Sequence, residues 1–130
     1  MEQFILPTKE QFSQLMAMDY KGPIYMINLL KFKPAGGVDL YEKYGETCAA
    51  IFERIGLKLM FRTKSAPLTV IGGEAWDEVV IVRYPSVSAF IEMNRDKEYQ
   101  ENVRYRHEAL TDSRLYLIKA EETDVSLSYE

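Results

Sequence analysis

Few side chains in this 130-residue sequence could do chemistry, and the first is an amide. Asn28 sits in the middle of IYMINLLKF, residues 24–32, among apolar neighbours. An amide with two donor hydrogens and two acceptor sites must be paired there, or it costs about 1–3 kcal/mol. It is either a structural hydrogen-bonding residue or a group that orients a ligand carbonyl or hydroxyl. Trp76 and Asp77 follow as a pair. Tryptophan would serve as core, as interface or as a stacking wall, and Asp77 is a candidate base if its carboxylate is buried. Arg62 and Arg106 fall where the pattern predicts partial burial, and a guanidinium in that setting needs an anionic partner. Glu74 or Asp77 would supply one internally; a substrate carboxylate is the alternative. His107, the only histidine, has the intrinsic pKa for acid–base work, although a lone histidine on a helix flank is more often a surface or hydrogen-bonded residue. Tyr99, with Tyr25, Tyr41, Tyr44, Tyr84 and Tyr105, could place hydroxyls around a cavity. The catalytic candidates are therefore Asn28, Asp77 and His107. The ligand-binding candidates are Asn28, Arg62, Trp76, Tyr99 and Arg106. With no second histidine a metal site is unsupported, and no cofactor is expected.

These residues need a scaffold. Residues 24–32, bounded by Pro23 and Pro34, are apolar on both alternating faces and read as a central strand. Before them, Thr8 would cap a short amphipathic helix to about Met18. After them, residues 33–38 hold Pro34, Gly36 and Gly37 and read as loop. Asp39 and Glu42 resemble a capping box for a helix whose apolar stripe, Tyr41, Tyr44, Cys48, Ile51, Phe52 and Ile55, runs to the stop at Gly56. Cys48 on that stripe reads as an inert core residue. Residues 57–71 predict a long strand interrupted near Pro67, placed at an edge or a bulge. WDEVVIVRY, residues 76–84, predicts a third strand that would bring Trp76 and Asp77 towards Asn28. A helix from Val87 breaks at residues 94–96 and restarts, with Arg106 inside its apolar stripe and His107 on the flank. Residues 115–120 form the last strand.

Without the first helix the order is strand, helix, strand, strand, helix, strand, the α+β ferredoxin-like arrangement, with the first and third strands central. Two helices cover only one face of a four-stranded sheet, so a homodimer closing the other face is expected. The expected divisions are an N-terminal helical extension at 1–22, the domain at 23–120 and an acidic tail at 121–130.

Composition sets limits. With 47% hydrophobic residues there is ample material for one core. The formal charge of −4 is localised, because Glu121, Glu122, Asp124 and Glu130 leave 16 acids against 16 bases in residues 1–120. No basic patch argues for nucleic acid. No stretch approaches a membrane span, no signal peptide opens the chain, and one cysteine cannot form an internal disulfide, so a cytoplasmic protein is expected.

With the elements placed, the sequence resembles the domain of unknown function 1330 family over roughly residues 23–120. The resemblance rests on MINLLKFKP, on Tyr41 and Tyr44 in YEKY, on Arg62, on GGEAWDEVVIVRYPS at 72–86, on EYQ at 98–100 and on Arg106. It implies a dimeric α/β barrel, and no reaction comes with it. Three functions compete. The first is a pocket for a small, anionic or aromatic ligand, which fold analogy extends to a cofactor-free isomerase or monooxygenase. A haem-degrading oxygenase would use Asn28, Trp76 and His107. A non-catalytic dimerising module would instead tie Asn28, Arg62 and Glu74 into a closed network over a filled interior.

Overall fold

The computed structural model describes residues 2–123. Helix α1 (Lys9–Met16) precedes strand β1 (Ile24–Phe32), helix α2 (Gly37–Ile55), strands β2 (Lys58–Arg62) and β3 (Glu78–Tyr84), helices α3 (Val87–Arg95), α4 (Lys97–Asn102) and α5 (Arg104–Ala109), and strand β4 (Leu110–Lys119). The sheet order is β2-β3-β1-β4 with antiparallel pairs throughout. This is the ferredoxin-like fold. The two strands that are apolar on both faces take the centre, where neighbours on either side satisfy their backbones and cover their side chains.

The helix-side core joins Ile24 and Met26 of β1 and Tyr84 of β3 to Tyr44, Cys48 and Ile51 of α2, with Met93 of α3 and Tyr99 of α4. A smaller cluster joins Leu30, Phe32, Val80, Ala109 and Leu110. The alternate residues Ile27, Leu29, Val79 and Ile81 belong to neither cluster and are half-buried. Thr8 caps α1 as expected, forming a reciprocal pair with Gln11. Asp96 breaks the third helix and caps α4 by accepting from the Tyr99 backbone N–H at 3.0 Å.

Four boundaries differ from the sequence reading. Helix α2 starts at Gly37 rather than at a capping box on Asp39, because Gly36 takes the left-handed conformation (φ 82°) and turns the chain directly into the helix. Gly37 sits so close to the α5–β4 junction that a Cβ would meet the Ala109 carbonyl at 2.8 Å. Strand β2 ends at Arg62, with a register shift between Leu59 and Phe61. Beyond it, Leu68, Val70 and Ile71 lie on an exposed loop, where Pro67 could not have extended a ladder. Strand β3 starts at Glu78, since Asp77 spends its backbone N–H on the Leu30 carbonyl (2.8 Å) and its carboxylate on the Phe32 N–H (2.8 Å), ending the pairing there. Strand β4 starts five residues early, at Leu110, directly from α5. Most of the acidic tail, residues 124–130, lies outside the described residues.

Candidate functional site

Between the helix side of the sheet and the helices lies an open-sided cavity of about 1120 Å³. Its floor includes Asn28, flanked by Val80 on β3 and Leu115 on β4. The strand period points Asn28 to the helix side along with Met26 and Leu30. Its Nδ2 donates to the Val80 carbonyl at 3.3 Å, and its Oδ1 accepts from Arg106 Nη2 at 3.1 Å. The amide thus has one half tied to backbone and the other to a cation on α5.

The two arginines are paired differently. Arg62 makes a two-pronged ion pair with Glu78, Nε to Oε1 at 2.6 Å and Nη2 to Oε2 at 3.3 Å. Glu42 stands 3.8 Å away, and the Tyr41 ring lies beneath the guanidinium at 5.5 Å. The expected internal partners, Glu74 and Asp77, serve neither arginine of the pair. Glu74 faces Trp76 and Arg114, and Asp77 is occupied by Phe32. Among the described residues no carboxylate pairs with Arg106, whose hydrogen-bond partner is the neutral Asn28 amide.

Tyr41, Tyr44 and Tyr99 form an aromatic wall backed by Phe32: Phe32 on Tyr41, Tyr41 on Tyr44, and Tyr44 on Tyr99, with centroids 5.4, 5.6 and 6.2 Å apart. The Tyr44 and Tyr99 hydroxyls bond at 2.9 Å. Burial pushes the ionisation of Tyr41, Tyr44, Tyr84 and Tyr99 upward, and the nearby Arg106 charge only partly offsets it. These hydroxyls stay protonated at neutral pH, so they act as hydrogen-bonding groups and not as bases. His107 moves the other way. Burial, then the adjacent Arg106 charge, lower its pKa below the ordinary 6.5, which leaves a neutral imidazole at the cavity edge. A neutral imidazole can take a proton; an amide such as Asn28 can only orient.

The cavity thus brings together Asn28, Arg62, Tyr99, Arg106 and His107. It does not take in Trp76 or Asp77. Trp76 lies ahead of β3, donates to Glu74 at 3.2 Å and carries the Arg114 guanidinium over its ring at 5.0 Å. The trio Asn28, Trp76 and His107 is therefore not assembled, and neither is a closed network of Asn28, Arg62 and Glu74. No group of three or more metal-ligating side chains occurs among the described residues. Sequence reasoning missed the wall contributed by the N-terminal segment, including Phe4, Ile5, Phe12 and Leu15. Its signal was the apolar stripe of α1, which read as an appendage.

Fold and site together define a ferredoxin-like protein with an arginine-bearing cavity between sheet and helices. The chain belongs to the family described as domain of unknown function (DUF1330), which matches residues 23–120. It is similar to a crystal structure of a protein of unknown function from Rhodopseudomonas palustris, at 42% identity over 91% of this chain and 97% of that one, with a TM-score of 0.85. A dimeric ferredoxin-like protein of unknown function from Jannaschia sp. shares 9% identity over 76% of this chain and 100% of that one, with a TM-score of 0.58. A NIPSNAP family protein from Agrobacterium tumefaciens shares 16% over 84% and 93%, with a TM-score of 0.55. These two likenesses concern the fold alone. No curated protein matches the chain. No helix among the described residues is long and apolar enough to cross a membrane.

Proposed function

We propose that the cavity binds a small organic anion, with Arg106 as its anchor and Asn28 as the group that holds the guanidinium in place. The observation that carries this reading is the asymmetry of the two arginines: Arg62 is neutralised by Glu78, whereas Arg106 faces the cavity with an uncharged partner. A partly buried guanidinium without a counter-charge favours any carboxylate or similar group that can reach it, preferably through two parallel N–H donors. The aromatic wall suits a ligand with a flat or apolar body. Tyr99, through Tyr44, and Arg62 would line the rest of the site.

Within this site His107 is the group suited to move a proton. Taking one from a carbon beside the carbonyl of an anchored acid, and returning it elsewhere, would make the protein a cofactor-free isomerase. Asn28 would orient and would not exchange protons. Asp77, engaged by the Phe32 N–H, would hold the end of β1 instead of acting as a base, and Trp76 would serve the outer side of the sheet. We further propose that the chain works as a cytoplasmic homodimer, its partner covering the half-buried face of Ile27, Leu29, Val79 and Ile81.

Fluorescence titration tests the anion site. 8-Anilinonaphthalene-1-sulfonate is an aromatic anion, and N-phenyl-1-naphthylamine is its neutral counterpart. Arg106→Leu is expected to weaken the anion about tenfold or more while leaving the neutral probe within about twofold. Equal behaviour of the two probes in the variant would dismiss Arg106 as the anchor.

A further inference from the structure

The N-terminal segment offers the cavity more than closure. Phe4, Ile5, Leu6, Phe12, Leu15 and Met18 all border the hollow, yet α1 buries none of its residues, and Phe4 and Leu6 are 44% and 62% exposed. The segment is fastened by Ile5, Leu15 and Met18, which pack against the core clusters, and by polar groups. The Phe4 N–H donates to Asp112 Oδ1 at 2.9 Å, Ser113 Oγ donates to the Phe4 carbonyl at 2.7 Å, and Arg114 lies over the Phe4 ring at 5.0 Å. Apolar side chains that border a cavity and stay partly exposed, as Phe12 and Leu15 do, leave part of their surface open to an apolar guest. The hollow is also larger than a few-atom acid needs: about 1120 Å³ exceeds the range of about 300–1,000 Å³ that accommodates drug-sized molecules.

We infer that the ligand is an amphipathic monoanion, its acid group at Arg106 and its apolar body against the N-terminal segment, and that Phe12 and Leu15 set the length of body accepted. This rests on the anion-site reading above and adds the ligand's second half. Charge selects one end and apolar contact selects the other, so affinity should rise with the length of the hydrocarbon.

Displacement of bound 8-anilinonaphthalene-1-sulfonate by hexanoate and by decanoate tests it on the full chain. In the wild type, decanoate should displace the probe at a concentration about tenfold or more below that of hexanoate. Phe12→Ala combined with Leu15→Ala should weaken decanoate by about tenfold and leave hexanoate within about twofold. Phe12→Leu, which keeps an apolar side chain there, should retain the preference. Circular dichroism melting confirms that each variant is folded, and Phe12→Ala alone, expected to weaken decanoate about threefold and leave hexanoate unchanged, carries the comparison if the double variant is not. Equal loss of both acids, or unchanged decanoate binding in the double variant, overturns the role of the segment while sparing the anion site. Failure of both acids to displace the probe, or displacement unaffected by Arg106→Leu, overturns the anion reading and this inference with it.

Discussion

Arg62 and Arg106 come from opposite parts of the chain, β2 and α5, and Tyr41 feels the charge of both. At the β2 end, Arg62 leaves an edge strand opposite Val80 and reaches diagonally to Glu78, two residues along the neighbouring strand. At the α5 end, Arg106 comes from a short helix and reaches across to the middle of the sheet, where its partner is an amide. The same residue type is a closed ion pair in one place and an unneutralised cation in the other. The difference comes from the neighbours each backbone element supplies, not from the arginines.

The comparison can be broken most sharply by exchanging their losses. Arg106→Leu should reduce binding of an aromatic anion by about ten- to a hundredfold, the worth of a charge-assisted hydrogen bond, whereas Arg62→Leu should change it by less than about threefold. Parallel titrations decide the matter, and equal losses would erase the distinction between the two ends. Next in size is Asn28→Leu, which takes away the Arg106 acceptor and the side-chain donor to Val80. We expect a stability loss of about 1–3 kcal/mol in urea unfolding, together with weaker anion binding as the guanidinium loses its support. An unchanged midpoint with full binding would remove the amide from the site.

A smaller effect is expected from His107→Gln, read through pH. Because the fold prefers the neutral ring, the histidine contributes stability that is complete above its ordinary pKa of 6.5 and is lost as pH falls from there through its lowered folded value. The variant should therefore show a shallower loss of stability on the acid side of neutrality, measured as melting temperature against pH. An identical slope would mean that the ring titrates as in the unfolded chain. Asp112 should contribute in the same direction at lower pH. Burial opposes its ionisation, but bonds from Phe4, Arg114 and Ser113 outweigh that and hold its pKa below the ordinary carboxylate value. Smallest of all is the Arg62–Glu78 coupling. Both side chains retain contact with water, at 33% and 12% exposure, so a double-mutant cycle should return no more than about 1 kcal/mol.

Much of the scaffold was legible because periodicity is strong where burial is complete. Residues 24–32 announced a central strand, and the break before α4 followed from Asp96, whose capping chemistry is local. Among the site residues, Asn28, Arg62, Tyr99, Arg106 and His107 do converge on one cavity; Asn28 and Arg106 stood out as polar groups in an apolar pattern, and His107 as the only histidine. The misses have a common origin. Trp76 and Asp77 were assigned to β3 by hydropathy alone, but Asp77 bonds to two residues of β1, the strand starts at Glu78, two positions later, and the tryptophan falls outside the site. The pairing of Arg62 with Glu78 needed the cross-strand register, which a sequence does not print. The polar start of β4, from Thr111 to Arg114, concealed a strand end that doubles as the fastening for residue 4.

The tight contact at Gly37 reaches further than its own turn. A methyl group there would press on the Ala109 carbonyl and the Phe32 backbone, and the helix start would have to lift. Tyr41 and Tyr44 follow within two turns, so the shift would be carried into the aromatic wall. A glycine at the start of α2 thereby sets the stance of the wall that bounds the cavity.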